Sequence, residues 1–287
     1  MICLRKSKGV LMLYHYTDFI AFDGIVGHTE LRLNNVLNMN DASEMRYYME
    51  GICSVILEKL NERGFNEKAR MLDVYFRNEL KEEFNYSAYA ACFSRYRDDA
   101  AQWERYGKDG QGVSIAFDET MLARITDTTN GVVSMRNVHY RPDFSDVDIA
   151  EQIFRLMMEH EQVSECTDEF QRLMDEAWIT SAAFKHPSFA NENEVRMVVS
   201  PFVSDAFPVY PKYHVSLGRI KKYYPMNLDE LCRRAGITLE DLITEVIIGP
   251  TSTQSMPILE DYLRDNGLRR LAEHISVSQC PLRRPTS

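Results

Sequence analysis

Val10-Leu11-Met12-Leu13-Tyr14-His15-Tyr16-Thr17 is the stretch on which the reading of the fold turns. It is a short, apolar and aromatic run of the length of a buried strand, and Thr17 or Asp18 at its end supplies an oxygen able to cap a helix. The helix that follows runs from Phe19 to Val26 and stops at Gly27. A strand that hands over directly to a helix starts an alternating pattern, which the rest of the chain continues. His15, emerging from the end of this strand, has two readings: a satisfied core residue, or a polar group reaching a ligand at the edge of the sheet.

Outward from there, Leu31-Arg32-Leu33 alternates like a second strand, and Asn34-Asn35 with 38–41 (Asn-Met-Asn-Asp) is turn-prone. From 42 to about 63, and from 66 to about 84, apolar residues recur at three- and four-residue spacing with Gly64 between them, which predicts a helical hairpin. Its stripe of Met45, Tyr48, Met49, Ile52, Val55 and Ile56 reads as plain core. Strands are expected over Ala88 to Ser94, Gly112 to Phe117, Val132 to Tyr140, Glu194 to Ser200 and Glu245 to Ile248, with a last one near Ile275. Helices are expected over Asp98 to Tyr106, Asn227 to Ala235 and Ser255 to Asn266, and 144 to about 184 is mostly helical. On the first of these helices Trp103 and Tyr106 stand three apart and share a face. No internal repeat or clear linker interrupts the pattern. Residues 1–287 therefore read as one α+β domain around a mixed sheet, with a helical hairpin inserted at 42–84 and a mainly helical segment at 144–184.

Composition narrows the function classes. Apolar residues are 45% and charged residues 26% of the chain, the proportions of an ordinary globular fold. A formal net charge of -10 repels phosphate backbones, and the basic pairs Lys221-Lys222 and Arg283-Arg284 read first as solvated surface pairs. The cysteines (Cys3, Cys53, Cys92, Cys166, Cys232, Cys280) form no C-x-x-C pair and have no neighbouring histidine, so free thiols in a reducing, cytoplasmic setting are expected and no metal site. The apolar run 10–14 is too short for a membrane span or a signal-peptide core. Gly107, Gly110 and Gly112 precede a strand instead of following one, so a dinucleotide-binding G-x-G-x-x-G is absent, as are the Walker loop, H-E-x-x-H and G-x-S-x-G.

What remains is Glu192-Asn193-Glu194-Val195-Arg196. If the segment is extended, a period of two puts Glu192, Glu194 and Arg196 on one face and Val195, Met197 and Val199 toward the core. One reading of that polar face is a solvated strand surface carrying a weak ion pair between Glu194 and Arg196. The other is a cleft wall whose carboxylates stabilise an oxocarbenium-like centre and help break a glycosidic carbon–nitrogen bond.

Several short blocks in a fixed order add to this. They are Tyr14-His15-Tyr16-Thr17, Leu31-Arg32-Leu33, Asn40-Asp41-x-x-Glu44, Cys92-Phe93-Ser94, Trp103-x-x-Tyr106, Gly112-Val113-Ser114-Ile115-Ala116-Phe117-Asp118, Phe184-Lys185, Glu192-x-Glu194-x-Arg196 and Glu245-Val246-Ile247-Ile248-Gly249-Pro250. Together they resemble, over nearly the whole chain, the bacterial family catalogued as domain of unknown function 2971. The resemblance implies a remote likeness to ADP-ribosyltransferases, hence a twisted mixed sheet of that type and NAD as substrate. On that likeness His15, with Tyr16 and Thr17 beside it, holds the adenosine ribose, and Ser94 or Tyr96 lines the nicotinamide pocket. Glu194 is the catalytic group on the nicotinamide ribose 2′-hydroxyl, Glu192 orients or deprotonates the acceptor, and Lys185 and Arg196 hold phosphates. Val195 departs from the aromatic residue usual between the glutamate and the arginine. The resemblance further implies a bacterial toxin or phage-defence role, with NAD or a related nucleotide, a macromolecular acceptor and an antitoxin or defence partner, and no membrane. The other expectation it leaves is a non-catalytic sensor or interaction module that binds a nucleotide in the same cleft.

Overall fold

A computed structural model describes residues 11–36, 44–81, 88–141, 143–145, 147–160, 167–199, 210–216 and 218–282. The turn expected at 38–41, the basic start of the chain, Cys3, Cys166 and the Arg283-Arg284 pair lie outside these residues.

The opening run forms β1 (Met12–Thr17), with Leu13 wholly buried. Asp18, and not Thr17, caps α1 (Phe19–Val26), its carboxylate accepting from the Ala21 amide at 2.8 Å. The remaining strands are β2 (Glu30–Asn35), β3 (Tyr89–Ser94), β4 (Val113–Asp118), β5 (Val133–Asn137), β6 (Glu194–Val199), β7 (Lys212–Ser216), β8 (Arg219–Asn227), β9 (Ile243–Ile248) and β10 (Ile275–Val277). They form one mixed sheet in the order β10-β9-β4-β1-β3-β2-β8-β7, with β6 paired to β3 and β5 to β6. Among the described strand pairs, β9 with β10 is the only parallel one.

The pairing of β3 is uneven, and this positions the site. Along one edge it pairs with β6 for its full length, from Tyr89↔Val199 to Ser94↔Glu194. Its other edge is divided. β2 attaches at Asn34↔Ala90 and Asn35↔Tyr89, β1 attaches at Tyr14↔Ser94, and Ala91, Cys92 and Phe93 between them have no strand partner there. β1 leaves to pair with β4 from Met12↔Asp118 to Thr17↔Val113, and β2 leaves to pair with β8 from Glu30↔Asn227 to Asn34↔Tyr223. The two strands therefore fork from β3.

Alternation along the strands sends Leu13, Leu31, Leu33, Phe93, Ile115, Val195 and Met197 into one core. That core is covered by α1, α5 (Glu119–Asp127), α8 (Leu228–Ala235) and α9 (Met256–Asp265), through Ile25, Leu122, Leu231 and Leu263. The opposite face carries a helical layer. α2 (Glu44–Glu62) and α3 (Asn66–Glu79) form the expected hairpin and pack with α6 (Asp148–Glu159) and α7 (Thr167–Ser181) over Ala88, Ala90 and Val198. On the same face, beyond β3, Trp103 of α4 (Ala100–Arg105) covers Tyr14, Tyr16, Ala116 and Ile247.

The sequence reading passes over two features. Residues 119–127 form α5 after an Asp118 cap that accepts from both Thr120 and Met121 amides. Residues 212–216 and 219–227 form the paired strands β7 and β8, and the expected surface pair Lys221-Lys222 lies within β8.

Gly112 lies where backbones meet without room for a side chain. Its carbonyl accepts from the Gly249 amide at 3.0 Å, and a methyl group on its Cα would come within 2.1 Å of the Thr17 carbonyl oxygen. Gly112→Ala should therefore cost about 1–3 kcal/mol through overpacking against backbone. An unchanged urea midpoint would contradict this packing.

Candidate functional site

A cavity of about 510 Å³ occupies the fork, with His15, Thr17, Arg32, Cys92 and Glu194 among its walls. It lies well within the range of small-ligand pockets, about 300–1,000 Å³.

β6 is buried on both faces, because α7 and its neighbours cover the side that carries Glu194 and Arg196. This corrects the reading of a solvated strand face: Glu194 is 8% exposed and Arg196 is fully buried. The extended geometry expected from Glu192 onward is also corrected. Residues Pro187–Glu192 form a short 3₁₀ turn, and Asn193, in the left-handed region at φ 45°, redirects the chain into the strand. Glu192 nevertheless reaches the same place from the turn.

The two carboxylates meet two buried cations. Lys185 Nζ donates to Glu192 at 2.7 Å and stands 3.5 Å from Glu194. Arg196 donates to both oxygens of Glu194, at 2.8 and 3.0 Å, and its third nitrogen donates to the Ala182 carbonyl at 2.8 Å. From α4, Arg105 donates to the other oxygen of Glu192 at 2.7 Å, and the Tyr106 hydroxyl donates to it at 3.1 Å. Cys92, opposite Arg196 in register, turns its thiol to Glu194. Burial pushes the Glu194 carboxyl upward, but Arg196 and then Lys185 outweigh it and hold the acid below its usual range. Glu194 is thus an anion at neutral pH.

His15 enters from the other side. Tyr14↔Ser94 pairing puts Tyr14 on the face of Glu194, so alternation places His15 on the opposite face, where its ring lies against Phe93 at 5.6 Å. Both line the cavity only because β1 and β2 separate. The Cys92 carbonyl can only accept, so His15 Nδ1 donates to it, at 2.8 Å. Nε2 is then an acceptor, with no hydrogen-bond partner among the described residues. Burial lowers the imidazole pKa, which keeps the ring neutral.

The other expected residues divide. Tyr16 and Thr17 line the cavity, though the Tyr16 hydroxyl donates to the Tyr96 carbonyl at 2.7 Å and its ring meets Trp103 edge-on at 4.8 Å. Ser94 lines it too, donating to the Glu192 carbonyl at 3.0 Å. Tyr96, the alternative to Ser94, is 44% exposed and is not part of the cavity wall. Lys185 and Arg196, expected as phosphate holders, are wall residues whose ion pairs run to Glu192 and Glu194. Arg105 and Tyr106 were missed as site residues. The Trp103-x-x-Tyr106 spacing was legible, but the helix offers no sign that its next face meets Glu192, 87 residues away.

Among the described residues no group of three or more His, Cys, Asp or Glu is placed to hold a metal ion, and no helix is long and apolar enough to cross a membrane. Residues 102–197 match the family model described as "Protein of unknown function (DUF2971)", which supports the family resemblance over that stretch. That stretch holds Arg105, Tyr106, Lys185, Glu192, Glu194 and Arg196, with most of α4 and of β6. No curated protein and no solved structure matches the chain.

The lowered Glu194 pKa has a consequence for stability. A carboxyl whose folded pKa lies below its unfolded value contributes stability above the unfolded value and loses it as pH falls through the folded one. The native chain should therefore weaken as pH drops below about 4, while Glu194→Gln should be less stable at neutral pH and show a flatter acid limb. Lys185→Met, which strips a buried partner from Glu192, should cost about 3–5 kcal/mol. Urea unfolding across pH reads both, and identical acid limbs for the native chain and Glu194→Gln would refute the assignment.

Proposed function

We propose that the cavity binds NAD and that Glu194 promotes cleavage of the nicotinamide glycosidic bond, passing ADP-ribose to an acceptor or to water. The observation that supports this most is the pairing, across one cavity, of a neutral imidazole acceptor with an ionised, buried glutamate. A ribose hydroxyl is a donor that His15 Nε2 would accept. Glu194, held in the fork of Arg196, keeps lone pairs for a second ribose hydroxyl, since each carboxylate oxygen has two. As the carbon–nitrogen bond breaks, its electron pair leaves with nicotinamide and positive charge develops on the ribose. A fixed carboxylate in a water-poor cleft stabilises that charge. Glu192, 3% exposed and facing Lys185 and Arg105, would orient the acceptor or take its proton. The described cysteines are free thiols, in keeping with a cytoplasmic protein, and the family likeness suggests a toxin or phage-defence role with an antitoxin or defence partner.

One observation favours a second reading. Every oxygen of Glu192 and Glu194 already accepts from a cation, an arrangement that also suits a nucleotide sensor whose acids only position the site. Incubation with NAD separates the two. Nicotinamide release by the native chain, reduced about 10²–10³-fold in Glu194→Gln, supports catalysis. NAD binding without release supports the sensor, and neither binding nor release removes both readings.

A further inference from the structure

With Lys185 and Arg196 tied to carboxylates, a nucleotide in this cavity needs other cations for its phosphates. Strand register supplies them. Asn34↔Ala90 puts Asn34 and, two residues before it, Arg32 on the sheet face that carries Glu194. Asn34↔Tyr223 puts Tyr223 and Lys221 on that face, and His214↔Lys221 adds His214. Arg32, His214 and Lys221 all line the cavity.

The charges there are unbalanced. Glu30 is shared between Arg32 at 3.2 Å and Lys212 at 2.7 Å, while Lys221 has no ion-pair partner among the described residues. One carboxylate is thus shared by two cations, and Lys221 has none among the described residues. Lys222, the next residue and also in the cavity wall, lies over the rings of Tyr89 and Tyr224 at 5.6 and 5.9 Å and adds a further positive charge. His214 Nε2 is buried and makes no hydrogen bond among the described residues. Burial lowers the His214 pKa, and Arg32 and Lys221 lower it further, which reports how close the three groups stand.

We infer that Lys221, Arg32 and His214 form an anion subsite on the β7–β8 side of the fork, built for the diphosphate of a nucleotide. The identity of the rest of the ligand rests on the nucleotide reading above; the anion site itself does not. A phosphate oxygen there takes up the field of Lys221 and the free donors of Arg32, and a neutral His214 with its proton on Nε2 donates to it. The chain's overall acidity makes such a local site more selective, because phosphates are repelled from most of the surface.

Inorganic pyrophosphate is the probe, titrated calorimetrically into the full chain at low salt. Lys221→Glu should weaken its binding about tenfold or more. Arg219→Glu, which makes the same charge change at an exposed hairpin position outside the cavity wall, should weaken it less than about threefold. Equal losses in both variants, or none in either, would overturn the subsite. If pyrophosphate binds through Lys221 but the native chain neither binds nor cleaves NAD, the anion site stands and the NAD reading fails. If NAD is cleaved while Lys221→Glu keeps full pyrophosphate affinity, the NAD reading stands and the subsite fails.

Discussion

Everything distinctive about this molecule follows from the divided edge of β3. One edge is satisfied along its length by β6; the other is given to β2 at one end and to β1 at the other, with Ala91 to Phe93 left between them. A strand edge with open backbone groups inside a protein is costly unless something pairs with it. Here His15 provides part of the answer, since its Nδ1 proton goes to the Cys92 carbonyl. The same bond fixes the tautomer and aims an acceptor into the gap. A structural role and a ligand role for this histidine are therefore compatible, because the hydrogen bond that closes the edge also prepares Nε2.

The buried charges depend on that gap in turn. Glu192, Glu194, Lys185 and Arg196 carry two negative and two positive charges under the helical layer, so the group is neutral as a whole. Desolvating four such groups gains little stability relative to an apolar core, and the loss of one leaves a charge uncompensated. Such a network makes physical sense where it borders a cavity that uses one of its members. Arg105, half exposed on α4, extends it toward solvent and leaves the cleft side more positive than the neutral centre. With the hairpin cations at the far side, the fork presents a charge-balanced centre flanked by positive groups within a chain of net charge -10.

Much of this was legible along the chain and some was not. β1, the cap at Asp18, the α2–α3 hairpin and β6 were readable because each is set by local periodicity and a neighbouring stop signal. The pairing of Glu194 with Arg196 was visible as an i, i+2 neighbour, but its burial was not, because α7 covers it from a part of the sequence that carries no mark of that contact. Glu192 was grouped with Glu194 by assuming an extended chain, whereas the left-handed Asn193 brings it there by a turn. Residues 212–227 did carry strand alternation, in Tyr213, Val215, Ile220, Tyr224 and Met226 around Gly218. The lysine pair reads as a solvated surface pair and carries no sign of the strand it belongs to. The fork itself is a matter of pairing partners far apart in sequence, which no local pattern encodes.

The most direct measurement is a crystal structure of the chain with ADP-ribose, the part of NAD left when nicotinamide departs. The account requires the ligand to lie in the fork between β1 and β2, a ribose hydroxyl within hydrogen-bond distance of His15 Nε2 and the other ribose turned toward Glu194. A structure in which β1 and β2 close directly on each other, or in which the ligand sits away from both residues, would contradict it.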